Sequence, residues 1–265
     1  MLPSGIIIPQ HALSQDGFDK CIIDVRASMG GFLRRRYGRF FSEADAPIEL
    51  GLPTTLAESG TRAAASSGSY GGSRYTSGAV TGDVGGFSIT PVQNVNALRS
   101  AWQFYGAVIL NLIAGQSSDV RFWAVLTNDT LANMQASDSP AGASYAGFRY
   151  STAAGDANIK AICAAGGTQT IVNPAAIYPA GSWFIPHGNS WLLEWWRHNT
   201  RDGSGTTYTR WRISRHTDAL VPQVASFEAT SNQMGTAENL RISVGVTNLN
   251  SAARAVACAV AVAEA

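Results

Sequence analysis

Charge is what this sequence has least of. Asp, Glu, Lys and Arg make up only 14% of its 265 residues, against about a quarter in an ordinary globular chain. Nineteen Lys and Arg nearly cancel eighteen Asp and Glu, leaving +1. No net field therefore draws the chain toward nucleic acid or an acidic membrane, and weak mutual repulsion favours assembly. Cysteine is scarce as well. Cys21, Cys163 and Cys258 are odd in number, far apart and without CxxC spacing, which excludes a disulfide scaffold and a zinc knuckle and predicts a reducing compartment. Cys163 (in KAICAA) and Cys258 (in AVACAVAV) read as buried strand residues. No apolar run approaches the roughly 20 residues of a membrane helix. The opening MLPSGIIIPQ has no basic start and only three consecutive aliphatics, so a soluble protein without a secretory signal is expected. Internal repeats, long helical periodicity, HExxH and G-x-S-x-G are also missing.

What the chain does have is a hairpin rich in tryptophan. Residues 191–215, WLLEWWRHNTRDGSGTTYTRWRISR, are two aromatic, β-prone runs around a polar turn holding Asp202-Gly203 and Gly205. In the first run Trp191, Leu193 and Trp195 share one face, while Leu192, Glu194, Trp196 and His198 share the other. In the second, Thr209, Trp211 and Ile213 alternate with Tyr208, Arg210 and Arg212. Such a hairpin needs another apolar layer, and the flanking chain supplies candidates.

Read in order, 1–58 is irregular and forms an N-terminal arm, with one plausible strand at 21–26. Residues 30–41, GGFLRRRYGRFF, cluster aromatic and basic side chains: Phe32, Leu33, Arg34, Arg35, Arg36, Tyr37, Arg39, Phe40 and Phe41. Aromatics interleaved with arginine favour a protein–protein contact; a solvated amphipathic stretch is the simpler alternative. Residues 59–85 are dominated by Gly, Ser, Ala and Thr and read as a linker. From 86 to 265 the pattern is β throughout. Strands are predicted over 86–91, 100–113, 119–127, 145–151, 159–163, 168–172, 182–185, 191–198, 208–214, 224–228, 240–247 and 253–263. A single helical turn is predicted over 129–134, capped by Asn128 or Asp129. Many short strands without a long helix predict an all-β, two-sheet antiparallel sandwich.

A catalytic centre is not legible. A retaining glycosidase needs two carboxylates roughly 5 Å apart, often as E-x-D-x-E on one strand, and that spacing does not occur. Glu194 is the only acid in the hairpin strands, and Arg210 or Arg212 across the strand pair predicts an ion pair. Glu228 and Glu238 have no matching acids. His187, His198 and His216, even with Asp202 or Asp218, form no recognisable metal or triad spacing and read as solvated. Asn128-Asp129 and Asp138 are the nearest approach to a calcium set. No catalytic residue, metal or cofactor is expected. Trp196 and Tyr208 beside Arg210, if exposed, make a stacking face for a sugar ring; the competing reading places the tryptophans in the core or at a subunit interface.

Three segments, DVRFWAVLTN, YAGFRYSTAAGDANIKAICAAGGTQTIVN and WLLEWWRHNTRDGSGTTYTRWRIS, resemble the concanavalin A-like (laminin G/lectin-type) jelly roll. More narrowly, they are similar to the versions carried by structural proteins of tailed bacteriophages. The resemblance covers 86–265, roughly two thirds of the chain, through strand-register patterns. It implies a non-enzymatic virion component, capsid decoration (cement) or a head or tail fibre, assembled in the host cytoplasm. The implied partners are major capsid, portal or tail subunits and further copies of the chain, as a homo-oligomer for which the family suggests a trimer. The arm would attach and the jelly roll would be displayed, with no nucleic acid or membrane involved. A lectin-like module binding a host-surface glycan is the alternative.

Overall fold

The computed structural model describes residues 35–39, 48–49, 54–64, 73–91, 104–112, 116–172, 191–199, 207–215, 223–234 and 239–264. Two antiparallel sheets pack face to face as a jelly-roll sandwich. One is built from β1 (Arg35–Arg39), β2 (Ile48–Glu49), β4 (Thr61–Ala64), β5 (Ser73–Thr76), β7 (Phe104–Leu112), β12 (Trp191–Asn199), β13 (Thr207–Arg215), β14 (Gln223–Ala229) and β16 (Ala255–Glu264). Its strand order is β14-β13-β12-β7-β16-β1-β2, with β5 beside the first half of β16 and β4 beside β5. The other contains β3 (Thr54–Ser59), β6 (Val84–Pro91), β8 (Val120–Thr127), β9 (Tyr145–Ser151), β10 (Lys160–Ala165), β11 (Thr168–Val172) and β15 (Arg241–Asn248), in the order β11-β10-β9-β8-β15-β6-β3.

Period-two alternation sends one set of side chains between the sheets. Trp191, Leu193 and Trp195 of β12 and Trp211 and Ile213 of β13 meet Phe122, Ala124, Phe148 and Val244 of the opposite sheet. The Phe148 and Trp195 rings cross edge to face at 5.8 Å, and Tyr75 meets Phe87 at 5.1 Å toward another part of the layer. Such contacts add to area burial in holding the sheets together. Gly106 makes room for this: it lies opposite Trp195 in register, and a Cβ there would sit 2.4 Å from the indole.

The seven-stranded sheet is covered on its outer face too. Helix α1 (Leu131–Ala136) and the turn after it close over Trp123, Val125, Tyr145 and Ile162 with Met134 and Ala143. β8 is consequently buried along its whole length, as a near-continuous apolar run requires. Thr130 caps α1, its side chain accepting from the Asn133 amide at 3.2 Å. The expected caps Asn128 and Asp129 are used elsewhere, Asn128 accepting from the Ser144 amide at 2.9 Å. Arg121 and Arg149 clamp the cover from below, on Asp138 and on Asp156 with the Asp138 carbonyl. Burial alone would raise the Asp138 carboxyl; the Arg121 hydrogen bond, with help from Ser151 and Arg149, outweighs it and holds the group below its ordinary value. Cys163 and Cys258 are buried thiols.

The expected division into arm, linker and jelly roll is not what the chain does. Gly85 and Gly86 lie inside β6, so 85/86 is no boundary. β3, from the expected arm, pairs along β6, and β5, from the expected linker, pairs with β16 and buries Tyr75 completely. Arg35, Arg36, Tyr37 and Arg39 lie on β1, paired in register with Glu264, Ala263, Val262 and Val260, rather than on a detached arm. The composition misleads for a physical reason. Short strands of Ser, Thr and Ala bury little by themselves, but partners far along the chain satisfy their backbone groups. Phe32, Leu33, Arg34, Phe40, Phe41 and the strands expected at 21–26 and 182–185 lie outside the described residues.

Two outcomes follow from this packing. Gly106→Ala should lose about 2 kcal/mol, because a methyl group has to displace the Trp195 ring; urea denaturation of the full chain measures it, and an unchanged midpoint would refute the contact. A chain beginning at Gly86 should lack a cooperative thermal transition, since it removes Tyr75, the β3 partner of β6 and the β1 and β5 partners of β16; a melting curve matching the full chain would restore the two-part division.

Candidate functional site

The outer face of the nine-stranded sheet gathers the polar chemistry of the hairpin. Register sets Glu194 opposite Arg212 and Ala107, and Trp196 opposite Arg210 and Tyr105, with Arg210 next opposite Glu228 on β14. Residues paired in this way share a face. The result is a ladder across four strands, Tyr105 and Trp196 in one row with Arg210 and Glu228, and Glu194 with Arg212 in the next.

Each acid in the ladder is already engaged. Arg212 grips both oxygens of Glu194 through Nε and Nη2, the latter at 2.6 Å from Oε1, and the Tyr105 hydroxyl donates to Oε1 at 3.0 Å. Glu194 is 1% exposed, so the paired guanidinium is what allows a carboxylate to remain there. The Arg212 guanidinium carbon also lies 5.9 Å from the Trp196 ring centroid, a cation–π distance. Arg210 donates from Nε to Glu228 at 2.8 Å on the more open side of the ladder. Of the two partners the sequence allows for Glu194, the structure selects Arg212; Arg210 takes Glu228, which the sequence reading had left without a partner.

The sugar-stacking set is brought together only in part. Tyr208 and Arg210 are half-buried on β13. Trp196, expected as an open face beside them, is 6% exposed and has Arg212 over its ring. A sugar cannot stack on it without displacing that arginine. All five tryptophans among the described residues are buried: Trp123, Trp191, Trp195, Trp196 and Trp211. Sequence alternation separated Trp195 from Trp196 correctly but carried no signal that both faces of β12 are buried.

The remaining candidates are taken up by local structure. Asp129 accepts from the Thr130 amide and the Asn133 side chain, Asn128 from the Ser144 amide and Asp138 from Arg121. Oxygens used this way hold turns and caps. Among the described residues no group of three or more His, Cys, Asp or Glu is placed to hold a metal ion. His187, His216, Asp202, Asp218 and Glu238 lie outside them. The Cys163 thiol is pushed up to about 12 by burial, against a hydrogen bond from Gln233 that lowers it, which leaves it a poor nucleophile.

Glu194→Gln removes the counter-charge but leaves Arg212 in place, and should cost about 3 kcal/mol. Replacing both residues with leucine should recover most of that loss. Chemical denaturation of the single and double variants tests it, and a neutral single variant would show that the pair is not part of the stability of this face.

No protein-family model matches the chain, and no curated protein is similar to it in sequence. Among solved structures it is similar to a protein of unknown function from Shewanella oneidensis MR-1, with TM-score 0.49 and 10% identity over 95% of this chain and 93% of that one. An alginate lyase from Chlorella virus is similar with TM-score 0.48 and 10% identity over 79% of this chain and 90% of that one. The CBM2 module of the evolved Dit of Lactobacillus casei BL23 phage J-1 is similar with TM-score 0.47 and 9% identity over 87% of this chain and 96% of that one. Likenesses this distant assign no activity, ligand or partner to this chain.

Proposed function

We propose that this chain is a non-enzymatic structural protein of a tailed-bacteriophage particle, a capsid decoration protein or a component of a head or tail fibre. The observation that carries the non-enzymatic part is the state of Glu194. The acid at the centre of the aromatic hairpin is buried, gripped at both oxygens by Arg212 and bonded to Tyr105, and among the described residues no second carboxylate is paired beside it in register. A general acid or nucleophile needs a carboxyl that can reach substrate and exchange a proton. Here the same atoms hold a sheet face together.

The phage assignment rests on the sequence resemblance of 119–128, 145–173 and 191–214. In this reading the sandwich is a rigid body whose contacts are with capsid, portal or tail subunits and with further copies of itself, a closed oligomer such as a trimer. The protein would be made in the host cytoplasm and reside in the virion. Because β1 is part of the sheet, attachment would use the sheet's own edge and face rather than a free arm.

A second reading, a glycan-binding module for host attachment, is favoured by one patch. Tyr208, Arg210 and Glu228 form a partly accessible polar and aromatic surface on β13 and β14. Planar hydrogen-bonding groups of this kind suit sugar hydroxyls.

Mass photometry of the full chain, together with a glycan array and an assay for polysaccharide breakdown, separates these readings. The structural reading expects a discrete oligomer, no saturable glycan signal and no turnover. A monomer with a glycan signal that Arg210→Ala abolishes would put the second reading in its place. Turnover that disappears in Glu194→Gln, in protein that remains folded, would overturn both.

A further inference from the structure

Among the described strands that end the two sheets, β11 is unlike the rest. The outermost strands are β14 and β2 on one sheet, with β4 beyond β5, and β11 and β3 on the other. Glu228 stands on β14, Glu49 on β2, Arg62 on β4 and Glu58 on β3. A charge on an edge strand opposes the pairing of a further strand there. β11 reads Thr-Gln-Thr-Ile-Val, with neither a charge nor a proline. No Asp, Glu, Lys or Arg occurs anywhere from Ala161 to Leu193.

The turn leading into β11 decides which of its backbone groups are free. Gly166 and Gly167 have φ of 56° and 85°, the two left-handed positions of a type I′ hairpin. A two-residue turn closes on a hydrogen-bonded pair, here Ala165 with Thr168, and alternation repeats it at Cys163 with Thr170 and Ala161 with Val172. Thr168, Thr170 and Val172 therefore direct N–H and C=O toward β10. Gln169 and Ile171 direct theirs away from it, and among the described residues no backbone group meets them. Side chains alternate too. Thr170 faces inward, its hydroxyl oxygen accepting from the Asn232 side chain at 2.9 Å. Gln169 and Ile171 lie on the outer face, Gln169 bonded to the Asp138 carbonyl and Ile171 in register with the buried Ile162. Ile171 is 48% exposed, so there is open room beside it.

We infer that β11 is a docking edge for a second copy of the chain, the two β11 strands pairing antiparallel about a two-fold axis at Thr170 and joining two seven-stranded sheets into one. The free groups set the register. Gln169 of each copy stands opposite Ile171 of the other, and each of these two pairs exchanges both of its N–H···O=C bonds. An axis at Gln169 or Ile171 would leave part of the edge unpaired. With the axis at Thr170, Ile171 is covered by the Gln169 side chain of the other copy and Thr168 meets Val172. A second copy fits because the strand is its own complement under this rotation. It brings no like charges together, and a net charge of +1 gives the copies little mutual repulsion. The contact stands on the strand itself and not on the particle or glycan readings. Being isologous, it makes even copy numbers, so a trimer formed through another surface would be doubled to a hexamer.

Sedimentation velocity of the full chain over a dilution series tests this. The chain should sediment as an even oligomer that dissociates on dilution. Ile171→Pro removes a donor that points away from β10 and leaves the bonds to β10 in place, a substitution that edge strands accept. By symmetry it deletes two hydrogen bonds from the seam, and it should weaken association at least about tenfold while the melting curve of the diluted protein is unchanged. Ile171→Lys, at an exposed position, should weaken it as well by placing a cation in each half of the seam, and it decides the matter if the proline variant does not fold. A chain that stays monomeric at about 100 μM overturns the inference, and so does an odd oligomer. An even oligomer that folded variants leave as tight as before also overturns it, while leaving the particle reading intact, since the copies would then meet through another surface.

Discussion

The burial of β12 on both faces is the constraint from which much else follows. On one side Trp191, Leu193 and Trp195 fill the space between the sheets; on the other Leu192, Glu194 and Trp196 are buried as well. Alternation then demands a register that is correct to the residue. A slip of one position would carry the Glu194 carboxylate into the aromatic layer and push Trp195 out of it. The register that does form sets Trp195 between Gly106 and Trp211, and Glu194 beside Arg212. The space left by Gly106 and the charge supplied by Arg212 are two answers to the same requirement, one steric and one electrostatic.

Arginine does on the surfaces of the sandwich what tryptophan does inside it. Arg121 and Arg149 tie the turn around Asp138 and Asp156 to the seven-stranded sheet beneath α1, and Arg212 and Arg210 tie β13 to its neighbours on the other sheet. In a chain with so few charged residues, most of these ions are placed to cross-link elements rather than to solvate a surface. A carboxylate held in a guanidinium fork is fixed in orientation, which suits a scaffold. The hairpin acid belongs to the scaffold in this sense. Surface open to a partner lies toward Tyr208, Arg210 and Glu228, where the pairs are partly accessible.

A good part of the molecule can be read from residue order alone. The alternation in 191–215 predicts the strand pair and separates Trp191, Leu193 and Trp195 from Leu192, Glu194 and Trp196, and the odd, scattered cysteines read as buried thiols where they are described. Glu194 reads as half of an ion pair because only arginines lie within cross-strand reach. The run 119–127 reads as a strand, and β8 forms there over Val120–Thr127.

What only the tertiary structure decided is anything that depends on a partner distant in the chain. Period-two alternation says which side chains share a face but not what covers it, so Trp196 could be read as open when Arg212 lies over its ring. The Ser-, Thr- and Ala-rich strands β4 and β5 carry almost no hydrophobic signal, because their place comes from hydrogen bonds, β5 to β16, which is more than 170 residues further on, and β4 to β5. Thr130 caps α1 in place of its neighbours because Asn128 is drawn toward Ser144, sixteen residues away. Local order determines which residues stand in a strand, but which partner reaches them is settled by three-dimensional packing, since direct hydrogen bonds act over a few ångströms and sequence separation does not measure that distance.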